Sequence, residues 1–359
     1  MNRNLAILIV AAFAAFAAPA VAQPGSMHLS YNVRFNYLFD NREFDASDEK
    51  YIESETYFAA QLLPQIGILF TDASGTSHSI VAGVSILRDM GSGKKPSGSF
   101  DDLSLWYGAQ HSFGRGRNLE ASAGIFPRLL SDDGLYSNAI WSDVLRFYDS
   151  HFEGLLMKYS APCFYAELGC DWLGKKTDTT RERFQIFSAG KWNLLDWIQA
   201  GWSASFYHYA TSGVASNVID NHLINPWLQF SVPGRVDLSL KAGLLAGYQR
   251  ARDIDESPHM PVGSEIAFRA GWKSLSVKNS AYFGDDQNIY YDCPAPEGGI
   301  YGANLYRGDN WYRDFYDRVD LSWNPRIGKK TRLLMMASFH FDRDGYLGCR
   351  QVVGFKTDF

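Results

Sequence analysis

Hydrophobic and polar residues alternate with a period of two along most of the chain. In the segment from Leu29 to Phe39, apolar side chains occupy the odd positions, and the even positions include Asn32, Arg34 and Asn36. Successive side chains of an extended chain point to opposite faces. The alternation therefore predicts a β-strand with one apolar face and one hydrated face.

The same alternation recurs up to the last residue. It defines about sixteen segments, each long enough for one strand. In chain order they cover residues 29–39, 58–68, 80–86, 103–113, 119–125, 152–159, 164–172, 183–189, 198–206, 224–232, 236–246, 265–271, 275–283, 313–323, 333–341 and 350–359. No shift in composition and no low-complexity stretch interrupts this series. Residues 23–359 are therefore predicted to form a single all-β domain.

The connections between these segments alternate between tight turns and long polar loops. Turn sequences rich in Gly and Pro occur at residues 114–117 and 233–235. Long polar connections cover residues 91–102, 127–153 and 284–310. Short turns at one rim and long loops at the other are typical of membrane-spanning barrels. The pattern predicts a transmembrane, antiparallel, up-and-down β-barrel with both chain ends at the short-turn rim.

The final segment places Val353, Phe355 and Phe359 on the face expected to contact lipid, with Lys356 and Asp358 on the other face. A terminal strand of this kind, ending on an aromatic residue, resembles the assembly signal of Gram-negative outer-membrane β-barrels. The resemblance implies the cell outer membrane as location, and membrane lipid and the barrel-assembly machinery as partners. Pairing of this strand with the first would remove both sheet edges and close the barrel.

Charged residues of the predicted strands fall on the hydrated face. An Arg or Lys on the lipid face near the bilayer midplane would cost about 2–4 kcal/mol. We therefore predict that the hydrated face lines the barrel lumen. Its charged members are Arg34, Lys158, Glu167, Arg183, Lys241, Arg269 and Arg318. Because this wall carries both signs of charge, no strong ion preference is predicted.

The chain begins with the features of an export signal. Met1 to Asn4 carries one positive charge, an apolar run extends from Leu5 to Ala18, and Ala20 and Ala22 match a cleavage site. About 14 apolar residues are too few to span a bilayer as a helix. We predict that residues 1–22 form a signal peptide that is removed.

Composition narrows the class of function. The 24 Phe, 20 Tyr and 10 Trp are a high aromatic content, and many lie near the ends of predicted strands. Aromatic girdles at the two membrane interfaces would account for them. The formal net charge of −5 argues against nucleic acid as a partner. The 8 His are scattered and no Cys-x-x-Cys pair occurs, so neither a metal nor a cofactor is predicted.

The four cysteines can form disulfides in an exported protein. Cys163 and Cys170 lie on one predicted strand and are about 23 Å apart by strand geometry, which exceeds the reach of a disulfide. Cys293 and Cys349 are predicted to lie in two consecutive loops of the same rim. We therefore predict a disulfide between Cys293 and Cys349.

The connection from Pro127 to Glu153 carries the densest set of candidate functional residues. Its charged members are Arg128, Asp132, Asp133, Asp143, Arg146 and Asp149. Its position after the fifth strand resembles that of the constriction loop of general porins, which have about sixteen strands. The resemblance implies that this segment folds into the lumen of a channel for passive diffusion of small hydrophilic solutes. The basic wall residues expected to face its carboxylates are Lys158, Arg183, Lys241 and Arg269.

Three other interpretations stay open. In the first, the connection 127–153 is a surface loop folded over the barrel mouth and does not enter the lumen. Alternatively, the barrel would be a non-conducting accessory protein whose outer loops bind a partner or a glycan, because residues 284–310 are rich in Tyr.

The third interpretation is a barrel protease similar to the omptins. The candidate residues are Asp149, Ser150 and His151. Two acidic pairs are further candidates: Asp132 with Asp133, and Asp285 with Asp286. Such short matches are common by chance, so we do not expect an enzyme. The sequence decides neither the solute nor whether the protein is a monomer or a homo-oligomer.

Overall fold

The computed structural model describes residues 27–44, 54–91 and 102–359. The predicted signal peptide, residues 1–22, lies outside them. The described residues form β-strands in a single sheet, with only short helices. The strands are β1 His28–Phe44, β2 Thr56–Thr71, β3 Ser77–Asp89, β4 Asp102–Gly114, β5 Arg117–Pro127, β6 His151–Ala161, β7 Phe164–Gly174, β8 Arg183–Leu195, β9 Ile198–Tyr209, β10 Ile219–Val232, β11 Asp237–Ala251, β12 Val262–Trp272, β13 Leu275–Gly284, β14 Phe315–Trp323, β15 Arg326–Ile327, β16 Thr331–Asp342 and β17 Gly345–Asp358.

Sixteen of these strands form a closed antiparallel barrel. Each pairs with its neighbour in sequence, and β17 pairs with β1 in the register Arg34 with Asp358 and Phe39 with Val353. The two-residue β15 pairs only with the start of β16, and β14 pairs directly with β16. The structure confirms the predicted architecture, strand number and closure between the last strand and the first.

The two faces of the wall have opposite chemistry, as the alternation predicted. On β7, Leu168 points outward and is 53% exposed, whereas the adjacent Glu167 points inward and is 2% exposed. The same inversion occurs on β1, where Tyr31 is exposed and Asn36 and Asp40 are buried. A water-soluble protein would bury the apolar side chains instead. The outer surface therefore suits lipid, and the polar side chains line the interior.

The two rims differ as expected. At the short-turn rim, β4 and β5 are joined through Arg115 and Gly116, whose φ angles of 52° and 71° fit a tight hairpin. At the long-loop rim, residues 128–150 join β5 to β6 and contain helix α1, Asp143–Tyr148. Residues 285–314 join β13 to β14 and contain helix α2, Gly302–Leu305. No helix in the described part of the chain is long and apolar enough to cross a membrane.

The predicted disulfide is wrong in this structure. Cys293 and Cys349 are both free thiols, as are Cys163 and Cys170. The sequence placed Cys349 in a loop, but β16 and β17 are joined by residues 343–344 alone, so Cys349 lies on β17. Its side chain points to the outer face, like that of Val353. Cys293 packs with interior tyrosines, so the barrel wall separates the two thiols.

Candidate functional site

The connection between β5 and β6 consists of short helical turns. One 3-10 turn covers Arg128–Leu130, a second covers Asp133–Leu135, and α1 follows. The hydroxyl of Ser142 accepts a hydrogen bond from the Leu145 N–H at 3.1 Å, which caps α1. This cap places Asp143 in the first turn, where a carboxylate also interacts favourably with the helix dipole.

Residues of this connection bond to inward side chains on many different strands. The wall partners are Gln61 on β2, Glu167 on β7, Gln185 on β8, Glu265 on β12, Arg318 on β14 and Arg350 on β17. Among the shortest of these bonds are Ser131 Oγ to Glu167 at 2.6 Å and Ser137 Oγ to Glu265 at 2.8 Å. Because the partner strands are distributed around a closed sheet, the connection crosses the barrel interior.

Asp143 is the most heavily paired residue of the connection. Its Oδ2 accepts from Arg318 Nη2 at 3.2 Å and from Arg350 Nη1 at 3.0 Å. Arg350 also donates to Asp40 of β1 at 2.7 and 2.9 Å. Burial raises the pKa of Asp143, but the charges of Arg318, Arg350 and Arg146 outweigh burial and hold that pKa well below its usual range. Asp143 is therefore ionised and tied to two strands.

Arg128 anchors the start of the same connection. It is 2% exposed, its guanidinium lies 4.0 Å from the ring centre of Phe152, and it pairs with Asp149 at 3.0 Å and Asp171 at 3.3 Å. Asp149 forms a second ion pair with Arg307. Burial raises the pKa of Asp149, and the charges of Arg128 and Arg307 more than offset this and lower it. Both ends of the connection are thus held by charge pairs.

The connection between β13 and β14 also packs into the barrel. Tyr301 belongs to a buried cluster with Tyr207 and Tyr209, two inward residues of β9. Nearer β14, the ring of Trp311 stacks on Tyr316, with centroids 5.0 Å apart and planes at 6°. The segment therefore contacts β9 and β14, which are separated by four strands of the wall. It is packed on the wall and does not extend freely into solvent.

The connection between β5 and β6 (the first connection) and the connection between β13 and β14 (the second connection) are joined by backbone hydrogen bonds. The N–H of Ser142 donates to the carbonyl of Arg307 at 3.0 Å, and the N–H of Asp309 donates to the carbonyl of Asn138 at 2.8 Å. The Asn138 side chain also donates to the Asp309 carboxylate at 3.2 Å. Together with the ion pair between Arg307 and Asp149, these bonds make the two segments one unit.

Close approach at this junction depends on Gly308. A Cβ atom on Gly308 would lie 1.9 Å from the carbonyl oxygen of Ala139, which no side chain tolerates. The side chain of the neighbouring Asp309 is 12% exposed. Burial, followed by the negative charge of Asp143, raises the pKa of Asp309 to about 6. The junction therefore contains one firmly ionised carboxyl group and one that titrates near neutral pH.

An apolar cluster extends from both connections to the barrel wall. Its members from the connections include Tyr136, Trp141, Trp311 and Tyr312. Its wall members include Phe126, Phe152, Phe187, Leu223, Trp227, Leu245, Tyr282, Tyr316 and Leu347, which come from eight strands. Any passage at this level of the barrel must run beside this cluster.

The remaining predicted residues of the connection 127–153 have identified positions. The Oδ2 atom of Asp132 lies 3.3 Å from Nζ of Lys191 on β8, and Arg146 pairs with Asp143 at 3.4 Å. Asp133 belongs to the second 3-10 turn, and its side chain lies outside the described atoms. Five of the six charged candidates are thus in bonded contact inside the barrel.

The expected partners of the loop carboxylates were wrong. Within the described ranges, no ion pair joins Asp132, Asp143 or Asp149 to Lys158, Arg183, Lys241 or Arg269. Lys158 pairs with Glu120 at 2.6 Å, and Arg183 donates to the Asn304 side chain at 3.3 Å. Asp132 instead pairs with Lys191 of β8, Asp143 with arginines of β14 and β17, and Asp149 with an arginine of the other connection, because their folded positions bring these cations closer. Arg34, also a predicted wall residue, pairs with Asp358 at 2.6 Å.

Sequence reasoning missed the second connection as part of the site. Arg307, Gly308 and Asp309 join it to the first connection, and Arg350 joins the first connection to β17. The length of residues 285–314 and their aromatic content could have indicated internal packing. Nothing in the sequence indicates which segment they pack against.

The candidate protease residues have structural contacts. The Asp149 carboxylate pairs with two arginines, and Ser150 Oγ lies 3.0 Å from Nδ1 of the buried His151. Asp285 and Asp286 accept backbone N–H groups of Val262 and Asn288. The two acidic sets therefore stabilise different connections.

The fold corresponds to that of known porins. No protein-family model matches the sequence, and neither does any curated protein. An anion-selective porin from Comamonas acidovorans is 16% identical, with a TM-score of 0.51 over 93% of this chain and 100% of that one. A triple mutant of the Rhodopseudomonas blastica porin is 10% identical over 92% of this chain and all of that one, with a TM-score of 0.48. OpdL of Pseudomonas aeruginosa is 10% identical over 92% of this chain and 98% of that one, with a TM-score of 0.48. The protein thus has a porin-like sixteen-stranded barrel fold.

Proposed function

We propose that the protein is an outer-membrane channel for passive diffusion of small hydrophilic solutes and that the connection 127–153 forms its constriction. A barrel of about sixteen strands encloses an aqueous channel unless other parts fill it. The observation that carries the proposal is the bonding of this connection to inward residues of six strands. A segment held in this way narrows the bore at a fixed level.

The second connection supports the constriction from the other side. Its bonds through Arg307 and Asp309 hold the first connection against the wall at β14 and β17. In this proposal the two connections set the bore together. The short-turn rim of the barrel faces the periplasm, and the long-loop rim faces the exterior.

Single-channel conductance of the refolded protein in planar lipid bilayers tests the proposal. Replacing residues 131–148 by a short Gly-Ser linker removes the bonds to Glu167, Gln185, Glu265, Arg318 and Arg350, so conductance should increase. The matched control replaces residues 175–180 of the β7–β8 connection, which are exposed, and should conduct like the unmodified protein. An equal increase in the control would contradict a specific role of the first connection.

The accessory-barrel interpretation has one observation in its favour. The apolar cluster shared by the two connections and eight strands is the packing expected of a plug. If neither the unmodified protein nor the variant without residues 131–148 conducts, the barrel is plugged and the accessory function replaces the channel. The ion pairs of Asp149 with Arg128 and Arg307 favour a structural role over a proteolytic one.

Export and assembly complete the proposal. Residues 1–22 are removed during export, residues 23–359 form the outer-membrane barrel, and several copies associate in the membrane. The intact mass of protein recovered from the outer-membrane fraction tests the cleavage site. Chemical cross-linking in native membranes tests association, and a single monomer band would contradict it.

A further inference from the structure

Three basic residues lie next to one another on the inward face. Lys241 is on β11, Arg269 on β12 and Lys278 on β13, and each shares its face with residues that contact the interior. Arg269 and Lys278 are directly opposite in the register of β12 with β13. Like charges that face each other across two strands destabilise a sheet. The pair therefore requires a compensating feature.

The protein itself provides only partial compensation, through Asp320, which lies directly opposite Lys278 in the register of β13 with β14. In the part of the chain that the structure describes, none of the three cations has an ion-pair partner within 4.0 Å. The carboxylates on the same wall are engaged elsewhere. Glu265 accepts from Ser137 at 2.8 Å, Asp320 pairs with Arg318 at 2.6 Å, and Asp237 accepts a backbone N–H at 3.3 Å.

All three cationic groups are positioned, and two of them are exposed. The Lys241 Nζ atom lies 4.4 Å from the ring centre of Trp227, which holds the ammonium group without neutralising it. The Arg269 guanidinium lies over Gly271, only 3.3 Å from where a Cβ of that residue would be. Arg269 and Lys278 are exposed to the interior. A polar ligand in the lumen can therefore reach both groups.

This patch lies between the two connections and the short-turn rim. Glu265 contacts the first connection through Ser137, and Arg269 is four residues further along β12 towards the turn at Lys273. Four residues of strand correspond to about 13 Å. A solute that has passed the constriction would meet the patch next.

We infer that Lys241, Arg269 and Lys278 form a binding site for small oxyanions that carry a phosphate or carboxylate group. A bound oxyanion accepts two parallel hydrogen bonds from the Arg269 guanidinium. Its charge also relieves the repulsion between Arg269 and Lys278. The inference deepens the proposed function, because it names the class of solute, and it replaces the expectation of no ion preference.

The first test is ion selectivity in planar bilayers under a potassium chloride gradient. The unmodified protein should pass chloride in preference to potassium, and the double variant Arg269→Gln/Lys278→Gln should lose that preference. The control Lys175→Gln/Lys176→Gln removes the same charge from exposed positions on the opposite rim and should keep it. An unmodified channel that conducts without anion preference would overturn the inference while the proposed function stands.

The second test does not depend on conduction. Titration calorimetry of the refolded protein with inorganic phosphate should show binding, and Arg269→Gln/Lys278→Gln should weaken it about tenfold or more, as expected for loss of a charge-assisted contact. The effect is specific to the patch if the Lys175→Gln/Lys176→Gln control binds phosphate with the affinity of the unmodified protein. Equal phosphate affinity in all three proteins would overturn the site, and a protein that binds phosphate but conducts nothing would overturn only the channel.

Discussion

The Oδ2 atom of Asp143 lies 3.0 Å from Nη1 of Arg350, so the first turn of α1 is bonded to the strand that closes the barrel. Arg350 is bonded in turn to Asp40 on β1. The constriction proposed for the channel and the closing seam of the barrel therefore share one charge network. Changes in this network should affect both the position of the connection and the stability of the seam.

Replacing Asp143 by Asn should loosen the first connection. The change leaves Arg318 and Arg350 without this carboxylate, and we expect the free energy of unfolding to fall by on the order of 2 kcal/mol, as for loss of a hydrogen bond between charged groups. Because the folded-state pKa of Asp143 is lowered, its stabilisation is present above about pH 4, the ordinary carboxyl value, and declines as the pH falls further. Urea denaturation across this pH range measures the effect. The control Asp143→Glu keeps the charge, and equal stability of the Asn variant would contradict the network.

Replacing Asp309 by Asn should remove a titration near pH 6. The pKa of this carboxyl is raised to about 6, so its neutral form is favoured in the folded protein. The destabilisation grows as the pH rises from about 4 to 6 and is complete above it. We therefore expect Asp309→Asn to raise the melting temperature at pH 7.5 and to change it little at pH 4. A difference that does not vary with pH would count against a buried, titrating Asp309.

Replacing Gly308 by Ala should separate the two connections. The added methyl group would overlap the Ala139 carbonyl oxygen, so the second connection must shift. Arg307 and Arg313 are largely shielded in the structure, and limited trypsin digestion should cleave there faster in the variant. Gly234→Ala, in a short turn where the nearest atom is 3.4 Å from the new methyl group, serves as the control. Unchanged cleavage would show that the junction tolerates the methyl group.

Deleting Phe359 should reduce barrel assembly. Its N–H donates to the carbonyl of Val33 at 2.9 Å, and Phe355 on the same strand stacks on Tyr37 with centroids 5.3 Å apart. Loss of the terminal residue removes this bond at the end of the seam between β17 and β1, where unpaired backbone groups are costly. Heat-modifiable migration on gels measures the folded fraction in the outer membrane. Phe359→Tyr keeps an aromatic terminus and should assemble normally, whereas normal assembly of the deletion would refute the proposed signal.

Local sequence was sufficient for most of the fold. Alternation over segments such as Leu29 to Phe39 depends only on which side chains prefer lipid and which prefer water, so each strand could be predicted from its own residues. Closure followed because two unpaired edges are costly. The prediction for Cys349 was wrong because the length of the β16–β17 connection depends on a strand boundary, which alternation fixes poorly.

The sequence by itself determined the alternating strands, the difference between the rims, and the candidate residues of connection 127–153. Only the tertiary structure decided their partners: Asp143 with Arg318 and Arg350, Asp309 with Asn138, and Arg269 opposite Lys278. The physical reason is that alternation is a local property of one strand. Which charges meet inside the barrel depends on strand register and on the path of two long connections, and these are set by contacts between residues far apart in the chain.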